Sequence, residues 1–315
     1  MKPFLKNISP FNNSTDMPVP LFIIKKILAF WVCYIVGLFI AEGLVILLHF
    51  ALGKNMLVGE MFDAGTITLI TYYGYIVIVG IALLYWKVIE KKPLAAMGLS
   101  KKISTYFIGI AVSVLLLALS VVTIVMTGNI KYQGVFENAD ILMIILLTGG
   151  FMIQGAAEEI LCRGIVLHAL KEKTSLLMAV IVSTILFIIP HWSSLFTGEM
   201  IYGVIGIINL ILISVIFSLF TIYFKNIWAA CGLHSFWNAI LYSILGLNLS
   251  GNEETVTAVF HMQSVGRNIW NGSIYGIEAS VATTIVLAFA LVLLFGVGRK
   301  VIFAGGLNKN CHSIM

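Results

Sequence analysis

Apolar stretches of about twenty residues recur along this chain, each long enough to cross the roughly 30 Å hydrocarbon core of a bilayer as a helix. Eight can be drawn, with approximate limits 27–50, 66–86, 103–127, 139–170, 175–192, 201–224, 227–247 and 274–298. In lipid every backbone amide must be paired within the protein, so only helices and closed barrels span, and stretches this long are helical. The expected fold is all-α: a polytopic membrane helix bundle of about eight transmembrane helices, forming one integral domain over residues 1–315. Composition supports this, with 60% hydrophobic and only 10% charged residues, against about 25% charged in soluble domains. Residues 1–26 are polar, hold Pro3, Pro10, Pro18 and Pro20, and are expected to form a flexible cytoplasmic tail. No small-residue cleavage site separates them from the first apolar stretch, which therefore reads as an anchor.

Charge gives the direction of threading. With both termini cytoplasmic, 16 of the 19 Lys and Arg residues fall on the inner side, and only Lys54, Lys131 and Arg267 lie outside. Cytoplasmic loops are rich in Lys and Arg, so the partition predicts eight crossings and internal termini. It also accounts for the net charge of +5 without a nucleic-acid partner. The lipid bilayer is the expected surrounding, and a bacterial plasma membrane the expected location. Cys33, Cys162, Cys231 and Cys311 have no Cys-x-x-Cys spacing, which argues against structural zinc or a disulfide framework. Cys311 is fifth from the end, so it is not a prenylation box.

The fourth stretch contains Gly155-Ala156-Ala157-Glu158-Glu159-Ile160-Leu161-Cys162-Arg163-Gly164. An ionised side chain at a helix centre in hydrocarbon costs at least about 2.5–3.5 kcal/mol, so an intramembrane charge cluster is a functional-site hypothesis by default. Adjacent glutamates point about 100° apart on a helix. Glu159 and Arg163 are four apart and pair, which leaves Glu158 free to act as a general base with a raised pKa. The plain alternative is an ion triad that only fixes helix packing. His191 follows Pro190 near the end of the fifth stretch, one turn after Phe187; alone it could be an interfacial histidine. His234 and Asn238 share a face of the seventh stretch, where they could equally be hydrogen-bond glue between helices. The depths of these residues overlap in the middle of the bilayer, which permits one site. Gln154 and His168 flank the acidic motif, and His168 reads as a solvated residue near the inner interface. Glu42 and His49 share a face of the first stretch; they could contact the site or snorkel outward. Tyr72, Tyr73 and Tyr75 read as packing residues.

Other chemistries find no support. There is no His-Glu-x-x-His for a zinc helix, no Gly-x-Ser-x-Gly elbow, and no Asp inside a span for an aspartyl dyad, since Asp16, Asp63 and Asp140 lie in loops or at an edge. A carboxylate, two histidines and an asparagine remain.

Together, Glu158-Glu159-x-x-x-Arg163, Phe187-x-x-x-His191 and His234-x-x-x-Asn238 resemble the three motifs of the CAAX-protease and bacteriocin-processing (CPBP, Abi) family of intramembrane endopeptidases. Order and helix placement match, within a core at 139–247. The lead-in Lys92-Pro93-Leu94-Ala95-Ala96-Met97-Gly98-Leu99 and the stretch Asn226-Ile227-Trp228-Ala229-Ala230 are similarly typical, while Cys162 stands where the family commonly has Phe. The resemblance implies an eight-span bundle with an embedded cavity. It implies hydrolysis of a peptide bond in a peptide or membrane-protein substrate, in eukaryotic members after a prenylated Cys. By that analogy Glu158 and His191 activate water, His234 and Asn238 stabilise the oxyanion, and Glu159 and Arg163 hold the architecture. Glu158, His191 and His234 could instead bind one divalent metal such as zinc; the lack of an i,i+4 His pair favours the metal-free glutamate form. Two other readings use the same residues. One is a non-catalytic membrane scaffold or bacteriocin self-immunity protein of this family. The other is a proton-coupled transporter, which predicts inverted repeats that the sequence lacks.

Overall fold

The apolar stretches fold as helices in the computed structural model, which describes residues 9, 11, 17–196, 198–251 and 257–309. Among the described residues, eight helices have at least twelve residues: α1 (Val19–Ala51), α2 (Ala64–Tyr85), α3 (Thr105–Met126), α4 (Ile141–Glu159), α5 (Leu176–Ile188), α6 (Met200–Phe224), α7 (Trp228–Ala239) and α8 (Val281–Lys309). With their continuations, six segments are long and apolar enough to cross a membrane: Val19–Ala51, Ala64–Glu90, Thr105–Met126, Ile141–Leu170, Leu176–Leu195 and Met200–Phe224. α7, extended by a π turn Ile240–Ile244, and the described apolar part of α8, Val281–Gly296, are shorter. The protein is thus an all-α, multi-pass membrane bundle.

Local chemistry sets the ends. Asp63, Asp140 and Ser175 cap α2, α4 and α5, their side-chain oxygens accepting from the backbone N of Thr66 (3.0 Å), Met143 (2.9 Å) and Met178 (3.2 Å), as capping residues do for the unpaired amides of a first turn. Two boundaries differ from the sequence expectation. α1 begins at Val19, so residues 19–26 are helix and not tail. Pro20 falls in the first turn, where a missing N–H costs nothing, and Lys25 and Lys26 are buried because both meet Glu90 at the end of α2. α8 begins at Val281 and not near 274, because Ser273–Tyr275 and Ile277–Ala279 are 3-10 turns broken by Gly276 at φ 93°. Cys311, Glu253, Glu254 and most of the tail before Met17 lie outside the described residues.

The loops after α3 and α7 meet. Strand β1 (Ile130–Val135) pairs antiparallel with β2 (Phe260–Ser264), Ile130 opposite Ser264 and Tyr132 opposite Met262. At the opposite end Lys92 pairs with Glu172. The 93–99 lead-in docks there on the start of α7: Ile227 N donates to Gly98 O (3.1 Å) and Trp228 Nε1 to Ser100 O (2.7 Å). The two family-like stretches outside the motifs therefore touch each other.

α7 lies at the centre, held by close backbone approach on two sides. A Cβ at Gly232 would fall 2.1 Å from Tyr106 O of α3, and one at Gly155 would fall 3.0 Å from Ser235 N of α7. Without a hydrophobic force between helices in lipid, small residues that let backbones approach are the usual basis of packing. Here they bring α4 against the face of α7 that carries His234.

Candidate active site

The acidic motif sits where α4 changes pitch. After Glu159 the helix continues as a π stretch, Ile160–Leu167, before a last α turn. π segments are rare and concentrate at functional sites. His168 closes this stretch: its Nδ1 donates to Arg163 O at 2.7 Å. His168 is therefore buried, in contrast to the solvated interfacial residue expected, because the widened turn offers it that carbonyl.

Glu159 and Arg163 form the i,i+4 pair that the spacing predicts, Arg163 Nη1 to Glu159 Oε1 at 3.1 Å, with both side chains fully buried. Arg163 Nη2 donates to Ser214 O (3.0 Å) and Oγ (2.7 Å). The guanidinium lies against the rings of Phe187 (4.8 Å) and Phe217 (5.1 Å), a geometry that suits its charge and flatness. Glu159 Oε1 also meets His234 Nδ1 at 3.0 Å. A carboxylate only accepts, so Nδ1 carries the proton and Nε2 is left for the other side, 3.8 Å from Glu158 Oε2. Phe217 stacks flat on the His234 ring at 5.2 Å.

Glu158 faces the other way, 17% exposed, into a cavity of about 220 Å³ shared with His191, His234 and Asn238. His191 lies in a 3-10 turn after α5, with Nδ1 donating to Phe187 O at 2.9 Å. Its Nε2 is consequently the nitrogen left for another partner. The Phe187-x-x-x-His191 spacing thus serves twice, through the carbonyl that fixes the imidazole and the ring that covers Arg163. Asn238 Nδ2 donates to Gln154 Oε1 (3.0 Å), and Gln154 Nε2 to Glu158 Oε1 (2.5 Å).

All six predicted residues therefore lie in one connected assembly, four on the cavity wall and the Glu159–Arg163 pair behind it. Gln154 was treated as a mere flank, although its i,i+4 spacing to Glu158 was a usable signal. Tyr72 and Tyr75, expected to be packing residues, line the cavity with Tyr34, while Tyr73 does not. Phe217, Trp237 and Glu278 carried no signal that sequence spacing could expose. Glu42 is exposed and His49 is buried, bonding to Val45 O at 2.9 Å; neither lines the cavity. Glu278 stands outside the spanning helices; burial pushes its carboxyl above the ordinary range, against hydrogen bonds from Ser250.

A zinc ion tests poorly against these donors. Among the described residues no three His, Cys, Asp or Glu side chains gather at a spacing that could hold a metal, whereas zinc needs three protein ligands near 2.0–2.2 Å. No step is therefore derived through a metal.

No curated protein and no solved structure matches the chain. Residues 140–240 match the family model described as type II CAAX prenyl endopeptidase Rce1-like. The matched segment runs from the cap of α4 through α7 and holds Glu158, Glu159, Arg163, His191, His234 and Asn238, so this core of the chain is similar to the Rce1-like family of CAAX endopeptidases.

Proposed function

We propose that the protein is an intramembrane endopeptidase in which Glu158 and His191 activate a water and His234 and Asn238 stabilise the oxyanion. The observation that carries this is the division of the two adjacent glutamates. Glu159 is spent on Arg163 and His234, while Glu158 opens into a cavity that His191 also lines, its Nδ1 committed to Phe187 O. A water between Glu158 and His191 gives up a proton to the carboxylate and attacks the carbonyl carbon of the substrate. The carbonyl oxygen, now an anion, accepts from the second Nδ2 hydrogen of Asn238 and from Nε2 of His234 in its imidazolium form. The Glu159 carboxylate on Nδ1 compensates that charge. Collapse breaks the C–N bond, and Glu158 returns the proton to the leaving amine. Gln154 holds Glu158 and Asn238 in register throughout.

The substrate class is a peptide or membrane protein, with peptide or bacteriocin maturation as the biological role and the bacterial plasma membrane as its place. Both termini are cytoplasmic in this reading. Reporter fusions at 130 and 260, which the strand pairing requires to agree, should read external and a fusion at 95 internal; a cytoplasmic signal at 260 would sink the orientation. The activity is tested by incubating the purified chain in liposomes with candidate peptides, prenylated and not, and comparing it with Glu158→Gln and His191→Ala. Cleavage that disappears in both variants supports the hydrolytic reading. Variants that keep full biological function turn it over to a scaffold or immunity role. Activity lost to a chelator and restored by zinc would overturn the metal-free step.

A further inference from the structure

Glu278 shares the cavity with the motif residues, and the proposed water activation does not use it. It lies in the turn before α8, and its side chain is half-buried. Oε2 accepts from Ser250 N at 2.6 Å and Ser250 Oγ at 2.9 Å, and the side chain of Trp237 donates to the same carboxylate. Among the described residues no Lys or Arg lines the cavity. Arg163, behind it, is committed to Glu159 and Ser214. Among the described residues, the two carboxylates of the cavity, Glu158 and Glu278, therefore share its wall with no Lys or Arg.

Asn209 adds an independent observation. It is 3% exposed and lines the same cavity. Its Nδ2 donates to the carbonyls of Glu278 (2.9 Å) and Ser280 (3.0 Å), which fixes the amide orientation, since a flipped amide would set its oxygen against two carbonyls. Its Oδ1 is buried and has no hydrogen-bond partner. A buried acceptor left without a donor is costly and rare in a native fold. A carboxylate and an unmet acceptor on one cavity wall, joined through the Glu278 backbone, call for a ligand with several N–H donors and positive charge.

We infer that this side of the cavity binds a primary ammonium group of the substrate, held by the Glu278 carboxylate and Asn209 Oδ1, so that the site selects peptides carrying such a group. The ammonium can be supplied by a lysine side chain or by a free N-terminus. The inference rests on the hydrolytic reading only in calling the ligand a substrate.

Three apolar hexapeptide amides test it: an N-acetylated one with a single lysine, its N-acetylated norleucine counterpart, and the norleucine peptide with a free amine. Their affinities are measured by calorimetry on the detergent-solubilised full chain and on Glu278→Gln. The wild type should favour an ammonium-bearing peptide over the acetylated norleucine peptide by about 10–100-fold, the range for a hydrogen bond to a charged group. In Glu278→Gln that ratio should fall toward one. A gain confined to the acetylated lysine peptide assigns the site to a side chain; one confined to the free amine assigns it to the N-terminus. Equal wild-type affinities for all three overturn the inference without need of any variant, and a preference that survives in Glu278→Gln overturns the role of Glu278. Preferential binding without cleavage of any peptide would defeat the hydrolytic reading and leave this one standing; cleavage without preference would do the reverse.

Discussion

Two clusters of charge are buried in this bundle, one at the junction of α1 and α2 and one around α4 and α7. In the first, Glu90 takes Lys26 at 2.6 Å, Lys25 at 3.8 Å and the hydroxyl of Tyr85 at 2.5 Å, with the ion-paired side chains at most 1% exposed. Its carboxylate is surrounded by donors. In the second, Glu159 is enclosed in the same manner by Arg163 and His234, but its neighbour Glu158 is left at the edge, facing open volume. Charge buried in a membrane protein is thus not itself the mark of a reactive site. The distinguishing feature is a closed pair beside an open carboxylate, so that one glutamate fixes geometry and the next remains available.

The contrast fails most visibly if Glu158→Gln is harmless to activity. Its loss should reduce peptide cleavage by about 10²–10⁴-fold, the usual share of a general acid–base group, while the variant keeps the wild-type melting temperature. Glu90→Gln should invert this profile. It strands Lys26 in a buried site, which costs about 3–5 kcal/mol of stability, read as a drop in melting temperature in detergent. A Glu90 variant as stable as wild type would show that the first cluster is not a lock. Asn238→Ala sharpens the second cluster: a fall of about 10²–10³ in rate is expected for one oxyanion donor, with little change in substrate affinity, and a change in affinity alone would reassign Asn238 to binding. Gly155→Ala tests how the second cluster is assembled. Overpacking costs about 1–3 kcal/mol, and the forced separation of α4 from Ser235 should also lower activity; a stabilised, fully active variant would refute the close approach. The smallest effect is a pH trend. Because the folded-state pKa of Glu278 is raised, the stability it contributes is full below the ordinary carboxylate range and is lost as pH rises through the raised value. The melting temperature of Glu278→Gln relative to wild type should therefore climb as pH rises above 4.5, the ordinary value for a glutamate. A difference that stays constant with pH would contradict the buried setting of Glu278.

Spans were legible because their length is set by the bilayer and not by neighbours, and the Glu159–Arg163 pair because it is local to one helix. The contact of Glu159 with His234 was not legible, since the two residues lie on different helices brought together by Gly155 and Ser235. The burial of His168 was not legible, because nearness to the inner interface says nothing of the carbonyl of Arg163 that the π stretch turns toward it. Glu278 was hidden twice: the eighth apolar stretch was drawn to include it, and its anchor Ser250 belongs to a distant loop. Short-range spacing carries the pairs within a helix, whereas the shape of the cavity depends on contacts that only packing decides.

The β1–β2 pairing has a consequence for the chain as a polymer. It joins Ile130 to Ser264, so the length of chain between them begins and ends at one point, like a loop drawn shut by a clasp. Inside the clasp lie α4 to α7, every motif residue and the whole of the segment 140–240 that matches the family model. α1, α2, α3 and α8 lie outside it. Closing a long loop costs entropy that grows only slowly with its length, and the strand pairing holds the two ends of this segment together. Glu278 stands beyond the clasp, in the turn before α8, and reaches back to Ser250 within it, so a residue outside the closed loop supplies the carboxylate that would choose the ligand.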